Sequence, residues 1–252
     1  MMVAGKADDV LKLIQQRKST RASFDPHRSV DKEDLGQIIE AARWAPTPHN
    51  MQNFEIIVVD DRELLRRIGS IRSPVSESFV RENHSQLSFS RRELLHKKVG
   101  ILGAYFPPAW RDPTRFGEAL REERGSSLND TIDGSPAVLI VIYDPRKRAP
   151  ASEGDFLGIL GLGCVMENMW LTAQALKIGF QIMSVFGGES VEKEVKRVLS
   201  VPTRMKIAYA IRLGYPVHSS DRYLRVRRDV EGIAHHNRYG DKGLARGNKI
   251  LR

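Results

Sequence analysis

The stretch from Asp155 to Ile182, DFLGILGLGCVMENMWLTAQALKIGFQI, decides how the rest of the chain must be arranged. It has the length of one long helix and is apolar on almost every face, which predicts a helix that is buried on every face. Glu167, Asn168 and Lys177 interrupt it, so it lacks the roughly 18–20 uncharged apolar residues of a membrane span. We therefore expect the core helix of a soluble protein.

Three glycines, Gly158, Gly161 and Gly163, lie in the first half of this stretch. Each costs roughly 1 kcal/mol of helix propensity relative to alanine. Close approach of another backbone, from a neighbouring helix or from a second subunit, would explain why they are kept. The alternative is a core helix that tolerates glycine and has no partner chain. These residues alone leave both interpretations open.

The composition is that of a soluble globular protein, with 41% hydrophobic and 28% charged residues. The single cysteine, Cys164, excludes an internal disulfide, and the absence of a Cys/His cluster with zinc spacing predicts no metal site. The N-terminus lacks the apolar run of a signal peptide, so we expect a cytoplasmic protein. The net charge of +9 permits nucleic-acid binding, but the cations are spread out and no nucleic-acid-binding signature is found. We predict neither a nucleic-acid nor a membrane partner.

A basic turn, RKSTR at 17–21, follows a short amphipathic helix that is predicted from Asp8 to Arg17. Three cations and two hydroxyls within five residues suit a phosphate monoester, because arginine offers a forked set of donors and serine a short hydroxyl contact. The other interpretation is a solvated basic turn, and the turn taken alone favours it.

A rigid loop, APTPHNMQN at 45–53, follows a second helix that is predicted from about Asp31 to Trp44, with Trp44 on its buried face. Two prolines fix the path of the loop. Its amide side chains, Asn50 and Gln52, can both donate and accept hydrogen bonds. Such a loop suits a flat heterocycle with alternating N–H and C=O groups.

The remaining elements follow from continuous apolar runs and from helical periodicity. A polar and basic region over 70–133 is predicted to be helices and loops that cover the site. Its aromatic stretch from Tyr105 to Trp110 would either stack on a substrate or pack on itself at the surface. Strands are predicted over 55–60, 135–145, 179–183 and 205–216, and further helices over 61–69 and from 189 or 190 to 201.

Four motifs in this order resemble the nitroreductase family of FMN-dependent oxidoreductases. The family shows an R-[R/K]-S-x-R-x-F segment, and a P-S-x-x-N-x-Q-P-W segment that leads into the first strand. It also shows an LGYP ending of a late strand, matched at 213–216, and a terminal K-x-R segment that resembles 225–240. The residues that carry the first two matches are Arg17, Lys18, Ser19, Arg21, Phe24, Pro46, Asn50 and Gln52.

The chain departs from the second segment at three positions. Thr47 stands where serine is expected and keeps the hydroxyl. Asn53 and Phe54 stand where proline and tryptophan are expected, which affects the packing of the loop more than contact with a ligand.

The order of elements predicts an α+β sandwich with a small, mainly antiparallel central sheet flanked by helices. The resemblance implies a domain-swapped homodimer with its site at the interface. It also implies a single FMN-binding domain over 1–252, with 70–133 as a variable lid and 217–252 as a C-terminal extension.

The resemblance further implies an enzyme that uses NAD(P)H to reduce a small electron acceptor, such as a nitroaromatic or a quinone, by ping-pong hydride transfer. The basic turn and the last two arginines would hold the FMN phosphate, and the amides of the rigid loop the ring or ribityl chain. Backbone at 184–188 would face the reactive side of the ring, and 46–48 would reach the flavin of the other subunit. No side chain is nominated as catalytic. The implied cofactor-binding residues are Arg17, Lys18, Ser19, Arg21, Pro46, Thr47, Pro48, Asn50, Gln52, Ser184, Val185, Gly187, Gly188, Arg225 and Arg227.

Three alternatives stay open on the sequence. Within the family, the chain could be a reductive dehalogenase or an enzyme that fragments the flavin. It could also bind FMN as a storage or sensing module without turnover. From a third class, a basic nucleic-acid binder would show tight, salt-sensitive oligonucleotide binding and no colour.

Overall fold

The computed structural model describes residues 2–73, 78, 82, 88–103, 112–115, 117–118, 120–121, 126–132, 134–150, 154–218 and 224–242. The chain divides into two compact units. The first, which we call the sheet unit, comprises Met1–Pro74 and Gly125–Ser220. The second unit comprises Val75–Arg124 and Asp221–Arg252. Each unit is described by itself.

Helices and short strands alternate along the described ranges. The α-helices are α1 Met2–Gln16, α2 Lys32–Arg43, α3 Arg62–Gly69, α4 Arg91–Lys97, α5 Asn129–Ile132, α6 Phe156–Ala175, α7 Glu189–Val198 and α8 Val230–Ile233. The strands are β1 Phe54–Val59, β2 Ser88–Phe89, β3 Ile101–Leu102, β4 Ala137–Tyr143, β5 Gly179–Met183 and β6 Lys206–Gly214.

The sheet unit is built on four strands in the order β1-β4-β6-β5. Every neighbouring pair is antiparallel, with Ile140 of β4 opposite Ile57 of β1 on one side and Ala210 of β6 on the other. The sequence of β4, AVLIVIY, is apolar at every position, which is the pattern of a strand covered on both faces. Its first six residues are buried, which confirms the predicted central strand. β5 is an edge strand, and this position matters for the site.

Helices cover both faces of this sheet. On one face α2 and α6 pack through residues such as Ile38, Val165 and Met169, all of them fully buried. On the other face α3 and α7 pack through residues such as Ile68 and Val195, which are also fully buried. The predicted α+β sandwich with a mainly antiparallel sheet is confirmed.

The prediction that the core helix is buried on every face is wrong for the single chain, because one side of the first half of α6 is exposed. Phe156, Ile159 and Leu160 are between 50% and 64% exposed, because none of the described parts of the sheet unit covers that side of α6. A helix of this length and apolarity could also cross a membrane by composition, but a single such helix is weak evidence, since the core helix of a soluble protein passes the same test.

Trp44 does not belong to a buried helix face, contrary to the prediction. Helix α2 ends at Arg43, so the indole lies beyond the last turn and is 73% exposed. Its Nε1–H donates to Oε1 of Glu40 at 2.7 Å, which holds it beside the helix end.

The second unit contains a parallel pairing of β2 with β3 and the short helices α4 and α8. Helix α4 begins with a capping box, in which Ser90 and Glu93 exchange side-chain and backbone hydrogen bonds. The predicted aromatic stretch from Tyr105 to Trp110 lies outside the described residues. The single-domain organisation, with a lid at 70–133 and an extension at 217–252, stays a prediction.

Candidate functional site

The basic turn predicted at 17–21 lies beside β5, at the edge of the sheet. The backbone N–H of Thr20 donates to the carbonyl oxygen of Phe180 in β5 at 2.9 Å. The N–H of Phe180 donates in return to the hydroxyl of Thr20 at 3.3 Å. Thr20 is buried. The chain from Arg17 to Phe24, which we call the basic segment, therefore crosses the edge of the sheet at Thr20.

Aromatic rings and one carboxylate hold the first part of the basic segment. The guanidinium of Arg17 lies 4.2 Å above the ring of Trp170, and its Nε is 3.1 Å from a carboxylate oxygen of Glu167. The indole N–H of Trp170 donates to the carbonyl oxygen of Lys18 at 3.1 Å. Trp170 in turn stacks on Phe180, with ring centroids 5.2 Å apart. Residues of α6 and β5 thus fix both the side chain of Arg17 and the backbone of Lys18.

A buried phenylalanine anchors the other end of the segment. Phe24 is 2% exposed and forms an isolated antiparallel bridge with Pro216. Its ring lies over Gly179 and Gly214, which face each other across β5 and β6. A Cβ atom at Gly179 would come within 2.5 Å of the ring, and one at Gly214 within 2.8 Å. This pair of glycines creates the space that Phe24 occupies.

The rigid loop predicted at 45–53 has an unusual backbone. It contains a short 3-10 turn at Pro48–Asn50, and His49, Asn50 and Gln52 all have positive φ values between 44° and 52°. Residues other than glycine rarely adopt positive φ values, and three of them within four positions is unusual. Such a backbone conformation persists only when the surrounding structure holds it in place. Such strain is often found at ligand-binding sites.

Hydrogen bonds inside the loop join its predicted ligand-binding residues. The N–H of Gln52 donates to the hydroxyl of Thr47 at 3.2 Å, and the Gln52 side-chain amide donates to Oδ1 of Asn50 at 3.0 Å. Asn50 and Gln52 are exposed. The loop therefore presents two joined amide groups at the surface of the sheet unit.

The glycines of the core helix are explained in part by this loop. A Cβ atom at Gly161 would lie 3.4 Å from Pro48 and 3.5 Å from Thr47, and one at Gly158 would lie 3.2 Å from the side-chain amide of Asn53. The close neighbour of these two positions within the chain is thus the rigid loop. Among the described residues, nothing lies within 4 Å of the corresponding position at Gly163.

The segment at 184–188 forms a 3-10 turn, Ser184–Gly187, directly after β5. Phe186 is fully buried and anchors it, while Ser184, Gly187 and Gly188 are exposed. The N–H of Gly188 donates to the carbonyl oxygen of Val185 at 3.1 Å, so this donor is used within the turn. Neither glycine has a positive φ. The paired glycines are therefore not needed here for unusual backbone geometry.

The predicted residues group around α6 and β5, with the exception of Arg225 and Arg227. Glu167, which contacts the basic segment, and Gly161, which contacts the rigid loop, are six residues apart on α6, a rise of about 9 Å. Arg225 and Arg227 belong to the second unit, where both are exposed and Arg227 donates to the neighbouring carbonyl oxygen of Val226 at 2.8 Å. In the described ranges no group of three or more His, Cys, Asp or Glu side chains is placed to hold a metal ion.

Two supporting residues of the site were missed by sequence reasoning. Glu167 and Trp170 were noticed only as parts of an apolar helix, although a carboxylate in such a stretch signals that it has a partner. A further tie between α6 and the sheet is Tyr209, whose hydroxyl donates to the carbonyl oxygen of Leu162 at 2.9 Å. Burial raises the pKa of Tyr209 well above its ordinary value, so it stays a neutral donor.

The chain is similar in sequence to known proteins. The model of the nitroreductase family matches residues 14–215. A protein of Archaeoglobus fulgidus, provisionally named an NADH dehydrogenase or NAD(P)H nitroreductase, is 24% identical over 86% of this chain and 90% of its own length. An NADPH-dependent oxidoreductase of Staphylococcus haemolyticus is 21% identical over 92% of this chain and 75% of its own length.

The fold also matches solved structures. A nitroreductase with bound FMN from Desulfitobacterium hafniense superposes with a TM-score of 0.54 at 20% identity, covering 90% of this chain and 97% of that chain. At this identity the match shows a shared fold. The family model covers the basic segment, the rigid loop and all four strands of the sheet, and the chain belongs to the nitroreductase family.

Proposed function

We propose that this chain is an FMN-dependent oxidoreductase that uses NAD(P)H to reduce a small electron acceptor, such as a nitroaromatic or a quinone, by ping-pong hydride transfer. Membership of the family supports the proposal, as do a relative named for NADPH and a structural neighbour that holds FMN. The observation that carries it is the basic segment fixed at the edge of β5.

The donor set of the basic segment fits a phosphate dianion. Thr20 is held in the sheet edge, so the cations on either side of it start from a fixed backbone. Ser19 is half-buried and Arg21 is exposed, so a ligand could reach both side chains from solvent. A forked guanidinium and a short hydroxyl are the donors that phosphate oxygens prefer. Lys18 adds a further positive charge, and Glu167 offsets part of the charge of Arg17.

The rigid loop and the turn after β5 would hold the rest of the cofactor. Asn50 and Gln52 offer amide donors and acceptors to the ring or ribityl chain, and backbone at Ser184–Gly188 would face the ring. FMN, when bound, supplies the ability to accept hydride from a nicotinamide and pass electrons to an acceptor. The protein's part is to bind and orient, and we assign no acid or base to a side chain. Arg225 and Arg227 are proposed as further phosphate cations on the resemblance of residues 225–240 to the family's terminal segment alone.

We also propose that the chain forms a homodimer through the exposed apolar side of α6. Phe156, Ile159 and Leu160 on α6, together with Val10 and Leu11 on α1, are between 45% and 64% exposed. Helices α1 and α6 contact each other, so these exposed side chains lie on neighbouring helices. Apolar patches of this kind on a soluble protein mark interaction sites. A second copy there would allow the loop at Pro46–Pro48 to reach the flavin of its partner.

Sedimentation velocity tests the dimer. Leu160→Glu places a charge in the proposed interface and should convert a dimer to a monomer. Val99→Glu, at a residue of similar exposure in the second unit, is the matched control and should leave the dimer intact. A monomeric wild type, or a Leu160→Glu variant that stays dimeric, would contradict the proposed interface.

An absorbance spectrum of the purified protein, taken anaerobically before and after NADPH or NADH, tests the activity. We expect flavin bands that bleach with one of the nicotinamides and return when a quinone is added. Bands that persist would favour a binding module without turnover. A protein that stays colourless after reconstitution with FMN would refute the flavin assignment.

A further inference from the structure

A buried arginine lies on β6, a strand inside the sheet. Arg212 is only 3% exposed and stands opposite Val138 of β4 and Gln181 of β5. A charged side chain at such a position is costly unless its donors are used. Its hydrogen bonds therefore indicate what the residue is for.

The guanidinium joins the sheet to the far end of the basic segment. Its Nε and Nη2 both donate to the side-chain oxygen of Gln181, at 2.9 and 2.7 Å. Nη2 also donates to the carbonyl oxygen of Ala22 at 3.0 Å. The guanidinium carbon lies 4.7 Å from the ring centre of Phe24. Arg212 thus contacts both the backbone and the anchoring ring of the segment.

These contacts complete a clamp around the sheet edge. Trp170 and Phe180 hold the segment at Lys18, and Thr20 is bonded to β5 itself. Arg212 holds Ala22, the residue that follows Arg21. Arg21 therefore stands between two fixed points, Thr20 and Ala22.

We propose that Arg212 is a positioning residue for phosphate binding, which acts by fixing the backbone beside Arg21. This inference rests on the proposed FMN-dependent function. Arg212 is buried and does not itself need to touch the ligand. Its effect should therefore appear only with ligands that carry the phosphate, because Arg21 would be displaced while the rest of the site is kept.

Lysine cannot replace Arg212 in this role. The side chain must serve Gln181 and Ala22 at once while lying against the ring of Phe24. A planar guanidinium has donors in a fixed fork for this purpose, whereas an ammonium is a compact point charge. The substitution Arg212→Lys should therefore resemble Arg212→Met rather than the wild type.

The test compares the binding of FMN with that of riboflavin, which lacks the phosphate, by quenching of flavin fluorescence. Arg212→Met should weaken FMN binding about tenfold, the effect of one lost charge-assisted contact. It should change riboflavin binding less than about twofold, a shift within the error expected for an unaffected site. Ile68→Ala, in a fully buried residue of α3 that belongs to the core on the same face of the sheet as Arg212, is the control for general loss of stability. It should leave the preference for FMN over riboflavin unchanged.

A second variant covers the case in which Arg212→Met does not fold. Gln181→Leu removes the acceptor that orients the guanidinium and should lower the preference for FMN in the same direction by a smaller factor. Equal losses of FMN and riboflavin affinity would show a general structural effect and overturn the inference. An unchanged FMN affinity would overturn it too. A wild type that binds no FMN would refute the proposed function and, with it, this inference. A wild type that binds FMN, with an Arg212→Met variant that binds it equally well, would refute this inference alone.

Discussion

The close packing of Phe24 over Gly179 predicts that a larger residue at position 179 lowers the stability of the protein. In the substitution Gly179→Ala, the new Cβ would lie 2.5 Å from a ring carbon of Phe24 and 2.8 Å from the carbonyl oxygen of Gly214. Two carbon atoms normally sit about 3.5–4.0 Å apart, so the ring would have to move by about 1 Å. Phe24 is almost fully buried, and the carbonyl belongs to the backbone of β6, so neither can move freely.

The expected cost is that of overpacking a core, about 1–3 kcal/mol of unfolding free energy. The substitution Gly36→Ala is the matched control. Gly36 is an exposed residue of α2, and no atom lies within 4 Å of the position that a Cβ would occupy there. Alanine at this position should therefore add up to about 1 kcal/mol of stability through helix propensity. The same chemical change should have opposite signs at the two sites.

Urea denaturation followed by circular dichroism measures both variants. The Phe24→Leu background provides a further check, because a smaller side chain should relieve part of the clash and reduce the added cost of Gly179→Ala. If Gly179→Ala were neutral or stabilising, the close fit of Phe24 over the glycine pair would be refuted. Since Phe24 anchors the basic segment, we also expect the destabilised variant to bind FMN more weakly.

Three further predictions concern other parts of the sheet unit. The Arg146 side chain, bonded to both carboxylate oxygens of Asp144, lowers the pKa of that carboxyl below its usual 3.8. The ionised Asp144 carboxylate therefore stabilises the fold in full above that pH, and this stabilisation is lost as the pH falls below it. Asp144→Asn should destabilise the protein at pH 7. In urea denaturation, the difference in unfolding free energy between this variant and the wild type should shrink steadily below about pH 4. Tyr209→Phe leaves the carbonyl oxygen of Leu162 without its hydroxyl donor and should cost about 1 kcal/mol of unfolding free energy, with a shift in urea midpoint as the readout. Glu167→Gln removes the ion pair with Arg17 but keeps the stacking of Arg17 on the indole. The guanidinium loses its orientation while the site gains net positive charge, so FMN binding should weaken by less than about tenfold. An unchanged or higher affinity in the fluorescence titration would contradict the positioning of Arg17.

Local chemistry made much of the fold predictable. The continuous apolar run of β4 predicted a central strand. The helix predicted over 61–69 is α3, and Asp61 lies just before it, where its side chain accepts from the N–H of Leu64. The basic segment and the rigid loop could be predicted because the residues that define each of them lie within a few positions of one another in the sequence.

Contacts between distant positions could not be predicted in the same way. Arg212 is 190 positions from Ala22 and appears in the sequence as one cation among 40. Its role depends on the register of β5 against β6, which places it beside Gln181 and next to the glycine pair. Helix α7 separates β5 from β6, so no hairpin turn indicates that register in the sequence, and the clamp emerged only from the fold.

The apolar character of α6 was predicted, but the place where it is buried was not. Hydrophobicity in a sequence reflects burial in the assembled molecule, whereas the exposure of Phe156 and Leu160 is measured on one chain. Gly163 lies seven residues after Phe156 and three after Leu160, so it shares their side of the helix. Among the described residues, no atom lies within 4 Å of the position that a Cβ would occupy at Gly163. A second subunit packed closely against this side would account for both the exposed apolar residues and the glycine that the single chain does not explain.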